Sequence, residues 1–486
     1  MKKDTNNFDV IVIGAGSGGL NVAVFMNRIG LRVLLIDKTD ERIGGDCLNF
    51  GCIPSKALIH VAREIYSGKK SEEAGFLTEE NAAQGSSEGR KVNIKKVMAY
   101  IKEKQNIIRS HENAEHFRRL GMTVVLGEAK FDRERSVVVN DIRYHAKKIV
   151  LATGSRPRKL ELPGIDAVRV YTNETVFDME ILPERFVFIG GGPISLELGQ
   201  AFQMLGSKVT IVHGGKHILE KEDPDVSEFM EKELNSMGIT IILNSKPIKF
   251  ENGELIIKTL NEEISIRADA LFAGIGRVLN IDNLDLENAK IKTSPDKTKL
   301  LVDAYLQTTN KNIMVAGDVA GGLMFTHAAE IHAKIVISNF FAIFKKKLHT
   351  GSFGWVTYTT PEIATFGSSA MDLKTSKIKY QEISSNLVED DRAIVDESTG
   401  FLKLFVGSRG KLLGGTLIAP QAGEIIGELI LAKSKNLKMA DLFNRVAPYP
   451  TAARIIRKVA GNYESQKLTP KIMGILRFLW NTKTSL

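Results

Sequence analysis

The arrangement that most limits what this chain can fold into lies at its start. An apolar run from Asp9 to Ile13 leads into Gly14-Ala15-Gly16-Ser17-Gly18-Gly19, a small-residue helical pattern follows through Met26, and a second apolar run from Leu31 to Ile36 ends on Asp37. A lone G-x-G-x-x-G is weak, but strand, turn, helix, strand and acid together specify a βαβ unit that holds a dinucleotide. Gly14 makes the tight turn, Gly16 lets a pyrophosphate reach the helix N-terminus, and Gly19 allows close helix packing. Asp37 stands where a carboxylate accepts the adenosine ribose hydroxyls.

The same pattern returns near Pro183. The strand Phe186 to Ile189 runs into Gly190-Gly191-Gly192-Pro193-Ile194-Ser195-Leu196-Glu197, then a helix, then the strand Lys208 to Val212. Ser195 fills the third glycine slot and is small enough for the helix to pack. His213 stands where the acid would be, which removes both a partner for a free 2′-hydroxyl and the repulsion of a 2′-phosphate; with Lys216 it favours NADP over NAD. The plainer reading makes His213 an exposed strand-end residue. Leu271 to Arg277, with Gly274 and Gly276, ends this unit. A strand from Asn312 to Ala316 closes on Gly317-Asp318 before a helix from about Thr326, which reads as a return to the first domain. From about Ser352, alternating strands and two helices carry no glycine fingerprint and suggest a packing or subunit-contact domain.

Between the two nucleotide units lie the only two cysteines of the 486 residues, in Gly44-Gly45-Asp46-Cys47-Leu48-Asn49-Phe50-Gly51-Cys52-Ile53-Pro54-Ser55-Lys56. Positions five apart on an ideal helix are too distant for a disulfide. A bonded pair therefore needs a bent backbone, for which Gly51 supplies freedom, while Pro54 suits the first turn of a following helix. Spacing alone leaves redox work, two small buried hydrophobes and half of a zinc site as alternatives. Beyond the cysteines the pattern predicts helix to about Tyr66, a polar surface tract from Ser67 to Gly89, one amphipathic helix from Ile94 to Leu120, and strands from Met122 to Tyr144 that pass Gly127-Glu128-Ala129 and lead to Ile149-Val150-Leu151-Ala152-Thr153-Gly154-Ser155.

The net charge of +9 is spread along the chain without a dense basic run interleaved with aromatics, so nucleic acid is not an expected partner. No apolar stretch approaches the roughly 20 residues of a membrane span, and the first residues lead straight into a strand; a cytoplasmic protein is expected. A lone cysteine pair in a reducing cytosol is more often catalytic than structural. Two dinucleotide sites flanking one pair imply a relay: one nucleotide delivers hydride, and a flavin takes two electrons and hands them to sulfur.

These motifs resemble the flavoprotein pyridine nucleotide-disulfide oxidoreductases, the family of glutathione reductase, dihydrolipoamide dehydrogenase and mercuric reductase, over nearly the whole length. The resemblance implies an α/β chain with two Rossmann-like dinucleotide-binding domains, for FAD and NAD(P), plus an α+β C-terminal dimerisation domain. Residues 1–159 and 280–350 would form a discontinuous FAD domain, 160–279 the NAD(P) domain, 351–470 the interface domain of a homodimer, and 471–486 a tail. FAD would be held by Gly14, Gly16, Gly19, Asp37, Gly45, Asp46, Lys56, Ala129, Thr153, Gly154, Asp318 and Thr326. The nicotinamide nucleotide would lie on Gly190, Gly192, Glu197, His213 and Gly276, with Glu197 also paired to Lys56 near the flavin. Cys52 would lie against the flavin as the charge-transfer thiolate and Cys47 would exchange with a small-molecule or disulfide substrate.

The chain departs from the family near its end. Members that reduce thiol disulfides carry H-P-x-x-x-E, with histidine as the acid-base of the exchange thiol. Here the matching stretch is Tyr449-Pro450-Thr451-Ala452-Ala453-Arg454. Tyrosine, with a pKa of about 10, is a poor base near neutral pH, while Arg454 lowers a nearby thiol's pKa without shuttling protons. Tyr449, Gly-Gly-Asp-Cys and Glu222-Asp223-Pro224 are similar to the mercuric-reductase-like branch, yet the C-terminal cysteine pair of mercuric reductases is missing. Finally, Ile472, Ile475, Leu476 and Leu479 recur at helical spacing beside Lys471, Arg477 and Lys483. Such a stripe serves a membrane-surface helix or packs on its own protein, and the second reading is the one favoured here.

Overall fold

The computed structural model describes residues 6–76 and 91–484. Its contacts divide the chain into two units: one runs up to Lys216 and includes Asn235–Leu348, and the other comprises His217–Leu234 and the chain from His349.

The first unit contains both nucleotide folds. Strands Thr123–Leu126, Val33–Asp37, Asn7–Ile13 and Ile142–Leu151 lie side by side in parallel, and Ile313–Val315 pairs parallel with the end of Ile142–Leu151. Ile142–Leu151 also begins an antiparallel extension through Ser136–Val139 to Lys130–Arg133. The runs 10–13, 33–36 and 149–151 are wholly β-branched or leucine, and Ile11, Val12, Leu34, Leu35, Ile149, Val150 and Val315 are fully buried, as expected of strands covered on both faces. The second sheet is parallel throughout, in the order Thr240–Ile242, Lys208–Val212, Arg185–Ile189, Ala270–Ala273, Arg169–Tyr171. In each sheet the glycine turn leaves the C-terminal end of a central strand, where ligands of open parallel sheets bind.

The second unit is built on a five-stranded antiparallel sheet, Gly354–Thr357, Glu362–Gly367, Leu412–Ala419, Phe401–Val406 and Gln381–Asn386. Helices Ala422–Ser434 and Arg454–Ser465 bury Ile426, Leu429, Ile455, Ile456 and Val459 in its core. More helices occur here than the two the pattern predicts, including Ala370–Thr375, Asp391–Val395 and Met439–Asn444.

Three local expectations change. The helix begun at Cys52 runs to Glu73, past Tyr66: Lys69, Lys70, Glu72 and Glu73 are good helix formers, and the ammonium of Lys70 lies 5.0 Å from the Tyr66 ring centroid one turn back. Residues 77–89 of the expected polar tract lie outside the described residues. The helix expected over Ile94 to Leu120 is two, Ile94–Arg109 and Ala114–Arg119. Asn113 restarts it by accepting from the His116 N–H at 2.8 Å, while Asp40 takes the Ala114 N–H. The C-terminal stripe does form a helix, Pro470–Thr484, but buries no residue whose side chain is described, contrary to the favoured expectation of packing on its own chain.

Candidate active site

In the first fingerprint Gly14 has φ +103°, and a Cβ there would run into the Ala152 carbonyl oxygen. Its N–H reaches the Ile36 carbonyl at 2.8 Å, and the Ala15 N–H donates to Asp37 Oδ2 at 2.6 Å. Asp37 thus helps hold the turn. Burial pushes its carboxyl pKa upward against the pull of the Ala15 and Lys38 N–H groups. Gly16 caps the Ser17–Arg28 helix without a side-chain hydrogen bond, which leaves first-turn N–H groups to an anion.

The cysteine segment presses against this turn. Gly44 N–H donates to the Ala15 carbonyl at 2.9 Å, and a Cβ on Gly45, where φ is +64°, would lie 2.6 Å from the Gly16 Cα. Nothing larger than glycine brings the two backbones this close. Cys47 lies in the short helix Gly45–Asn49; the chain then bends at Phe50 and Gly51, and Cys52 opens the helix Cys52–Glu73. The buried Gln105 side chain donates to the Leu48 and Asn49 carbonyls, both at 2.9 Å, and Arg109 donates to Asn49 Oδ1 at 2.6 Å, so the short helix is held from the neighbouring Ile94–Arg109 helix.

Both cysteines are free thiols in this structure. A hydrogen bond from Cys47 lowers the Cys52 pKa to about 6 against the cost of burial, helped by Thr326, whose Oγ1 lies 3.4 Å from Cys52 Sγ, and by the charge of Lys56. That same bond, with burial and the charge on Cys52, pushes the Cys47 thiol far up. Of the two sulfurs Cys52 is the more acidic, and Cys47 the one that keeps its proton more firmly. Lys56 Nζ lies 2.7 Å from Glu197 Oε2, joining the cysteine helix to the helix Pro193–Leu205 of the second nucleotide fold. Thr326 is the first residue of the helix Thr326–Phe341.

Asp318 opens a single 3₁₀ turn and accepts from Ser155 Oγ at 2.5 Å; burial pushes its carboxyl upward. Thr153 Oγ1 is buried with no hydrogen bond to the protein, and the Thr153 carbonyl accepts from Asn280 Nδ2 at 2.9 Å. Gly154 accepts from the Asn280 N–H. Ala129 is buried two residues after Gly127, whose N–H donates to the Asp37 carbonyl.

In the second fingerprint the Gly190 N–H donates to the Val212 carbonyl at 2.8 Å and the Gly191 N–H to His213 Nδ1 at 3.1 Å. His213 thus does for this turn what Asp37 does for the first. It presents Nδ1 as the acceptor of a turn N–H. Gly192 caps Pro193–Leu205 without a side-chain bond. Ser195 Oγ is buried, bonds to no protein group, and occupies the space a Cβ on Gly274 would need. Gly276 precedes Arg277, a residue the sequence reading did not single out. The Arg277 side chain, only 13% exposed, donates to Ser155 Oγ at 2.6 Å and to the Ser155 carbonyl at 3.0 Å, and lies 3.1 Å from Asp46 Oδ1 and 3.8 Å from Asp318 Oδ2. Asn173 Nδ2 also donates to Asp46 at 3.1 Å. Gln105, Asn173 and Arg277 give little sequence signal; Arg277 alone is flagged, by its place after Gly276.

In the second unit, Tyr449 is largely exposed. Its hydroxyl donates to Asp391 Oδ2 at 3.2 Å, and the Arg454 guanidinium lies 5.0 Å from its ring centroid.

The close-packed glycines at Gly14 and Gly45, the uncapped helix starts and the unsatisfied Thr153 hydroxyl fit a bound dinucleotide in the first fold. Family models described as pyridine nucleotide-disulphide oxidoreductase and as the dimerisation domain of the same proteins match residues 8–333 and 354–460. The dihydrolipoyl dehydrogenase of Mycoplasma genitalium is 32% identical over 93% of this chain and 98% of its own. A mercuric reductase of Staphylococcus aureus is 30% identical over 94% of this chain and 83% of its own. Among solved structures, the HOCl-induced flavoprotein disulfide reductase RclA of Escherichia coli aligns with a TM-score of 0.80 at 25% identity, covering 93% of this chain and 99% of that one. LpdA of Mycobacterium tuberculosis aligns at 0.82 and 23% identity over 94% and 99%.

Proposed function

The chain belongs to the pyridine nucleotide-disulphide oxidoreductases, FAD-dependent enzymes that move electrons from NAD(P)H to a disulfide, and we propose that it is an NADPH-dependent member reducing a small disulfide or other electrophile through Cys52 and Cys47. The observation that carries this reading is the placement of the two sulfurs: Cys52 Sγ, on the helix that also carries Lys56, lies 3.4 Å from Thr326 Oγ1, and these neighbours with Cys47 make Cys52 the more acidic of the pair. When bound, the flavin takes a hydride from the nicotinamide and supplies two electrons to sulfur. Gly14, Gly16, Gly19, Asp37, Gly45, Asp46, Ala129, Thr153, Gly154 and Asp318 would hold it, with Lys56 and Thr326 near the Cys52 sulfur.

In the oxidative half, Cys47 attacks one sulfur of the substrate disulfide and passes its proton to Cys52, to which it is already hydrogen-bonded. The first thiolate leaves, takes that proton from Cys52, and departs as a thiol. Cys52 then attacks the Cys47 sulfur, expelling the second thiolate, which is protonated from solvent, and closing the Cys47–Cys52 disulfide. Proton exchange within the pair lets the reaction begin without the histidine that Tyr449 replaces. The domain division expected from the sequence, a homodimer and a reducing, cytoplasmic setting belong to the same reading.

The preference for NADPH rests on His213. An imidazole takes the place of the acid, Lys216 follows in the same loop, and the Lys246 side chain runs past Gly214. A dihydrolipoyl dehydrogenase activity is the second reading, favoured by the relative from M. genitalium, and it predicts lipoamide-dependent NADH formation. Anaerobic titration with NADPH and, separately, with NADH, beside a Cys52→Ser control, tests the proposal. A long-wavelength absorbance band on two-electron reduction that is missing in the control, and appears faster with NADPH, is expected. Identical bleaching in both proteins would place the cysteines outside the electron path.

A further inference from the structure

The helix Pro470–Thr484 begins beyond residue 460, where the dimerisation match ends. Ile472, Ile475, Leu476 and Leu479 are 40%, 50%, 51% and 50% exposed. At 100° per residue these four, with Met473 and Trp480, occupy one face, and Lys471 and Arg477 stand at its two borders. From Gln466 onward the sequence has four basic residues, Lys467, Lys471, Arg477 and Lys483, and no acidic one. The described helix is about 22 Å long, and no helix among the described residues is long and apolar enough to cross a membrane. This one can lie in the surface.

Charge decides between the two occupants such a face admits. A second copy's helix brings the same basic borders and no acidic residue to pair with them, whereas an anionic bilayer brings the opposite sign and takes up both the apolar face and its basic borders. We propose that Pro470–Thr484 is a docking helix that lies in the surface of a membrane containing anionic phospholipid, with Ile472, Ile475, Leu476 and Leu479 facing the acyl boundary and Lys471 and Arg477 at headgroup level. The enzyme would then work on the membrane surface.

The test is sedimentation of the full-length, FAD-loaded protein with vesicles of phosphatidylcholine alone and of phosphatidylcholine mixed with phosphatidylglycerol, with assembly mass followed by light scattering. Binding to the mixed vesicles should be at least about ten-fold tighter than to the neutral ones and should weaken with salt, since each basic side chain near an anionic surface contributes roughly five-fold. Leu476→Glu with Leu479→Glu should abolish it, and Lys471→Glu with Arg477→Glu should weaken it more than about ten-fold. Both variants should keep the thermal midpoint and assembly mass of the parent, because the side chains changed lie outside any core. Failure to bind either vesicle, or equal binding to both, overturns the proposal. So does a fall in assembly mass in the Leu476→Glu, Leu479→Glu protein, which would mark the face as a contact between copies.

Discussion

Arg277 Nη2 lies 3.1 Å from Asp46 Oδ1, so the residue that follows the last glycine of the nicotinamide fold is tied to the residue that precedes Cys47. The same guanidinium holds Ser155 and approaches Asp318. One side chain therefore links the second nucleotide motif, the cysteine helix and the turn at Asp318.

Replacing Arg277 with alanine should leave two partly buried carboxylates and the Ser155 carbonyl short of a donor. Charge-assisted bonds of this kind contribute about 2 kcal/mol, discounted here because Asp46 is partly exposed. The variant is expected to lose FAD on dilution faster than the parent and to melt several degrees lower. Asp46→Thr should be milder, about 1 kcal/mol or less, since Asn173 and Arg277 can each find a hydroxyl. Flavin fluorescence released on dilution reads both, and Arg277→Ala retaining FAD like the parent would remove the linkage.

The Cys52 thiolate makes a pH prediction with a definite sign. Its folded pKa of about 6 lies below the ordinary thiol value, so the charge contributes stability above the unfolded pKa near 8.5, and that contribution is lost as pH falls through 6. Alkylation at Cys52, followed by mass spectrometry, should stay high from pH 8 down to about pH 6 and decline below it. Lys56→Met should raise that midpoint by about one unit and Glu197→Gln should lower it, because the ammonium favours the thiolate and the carboxylate opposes it. Shifts of the same sign in both variants would show that the helix moved instead.

His213→Asp is expected to keep the turn, because a carboxylate can accept the Gly191 N–H as Asp37 accepts that of Ala15. What should change is the cofactor. A carboxylate repels a 2′-phosphate and accepts from a free 2′-hydroxyl, so the ratio of kcat/KM for NADPH over NADH should fall about ten-fold or more, mostly in KM. An unchanged ratio would assign specificity to Lys216 and Lys246 instead.

The two glycine turns, the strand ends at Asp37 and Asp318 and the cysteine segment were legible because local spacing fixes their chemistry. The parts that were not legible depend on partners far away in the chain. Arg277 meets Asp46 and Ser155 only once strands Ser155–Pro157 and Arg277–Leu279 pair antiparallel. Gln105 looks like one polar residue on an amphipathic helix, and its use as a clamp on Leu48 and Asn49 appears only when the two helices pack. The break before Ala114 was readable in principle, since Asn113 is a strong N-cap residue. Helical periodicity continued through it, and periodicity alone carries no punctuation.

Glu222-Asp223-Pro224, a mark of resemblance in the sequence, proves to be a buried charge cluster of the second unit. Lys403, with its side chain 4% exposed, lies 3.0 Å from Asp223 Oδ2 and 2.5 Å from Asp225 Oδ1, while Glu222 accepts from Trp355 Nε1 and Thr365 Oγ1, both at 2.6 Å. Burial alone would lower the Lys403 pKa, yet the two aspartates outweigh it and hold it above its ordinary value. Its stabilisation is therefore fully present below the unfolded pKa near 10.4 and lost only as pH rises through the folded value. Lys403→Met should strand the buried Asp223 and cost about 3 to 5 kcal/mol, whereas Lys403→Met with Asp223→Asn should recover much of that loss, because the penalty belongs to the unpaired charge. Hydrogen exchange in strands Phe401–Val406 and Leu412–Ala419 reads this unit directly. Protection should fall in the single variant and return in the double; a double variant as unprotected as the single would mean that the loss does not come from the unpaired charge of Asp223.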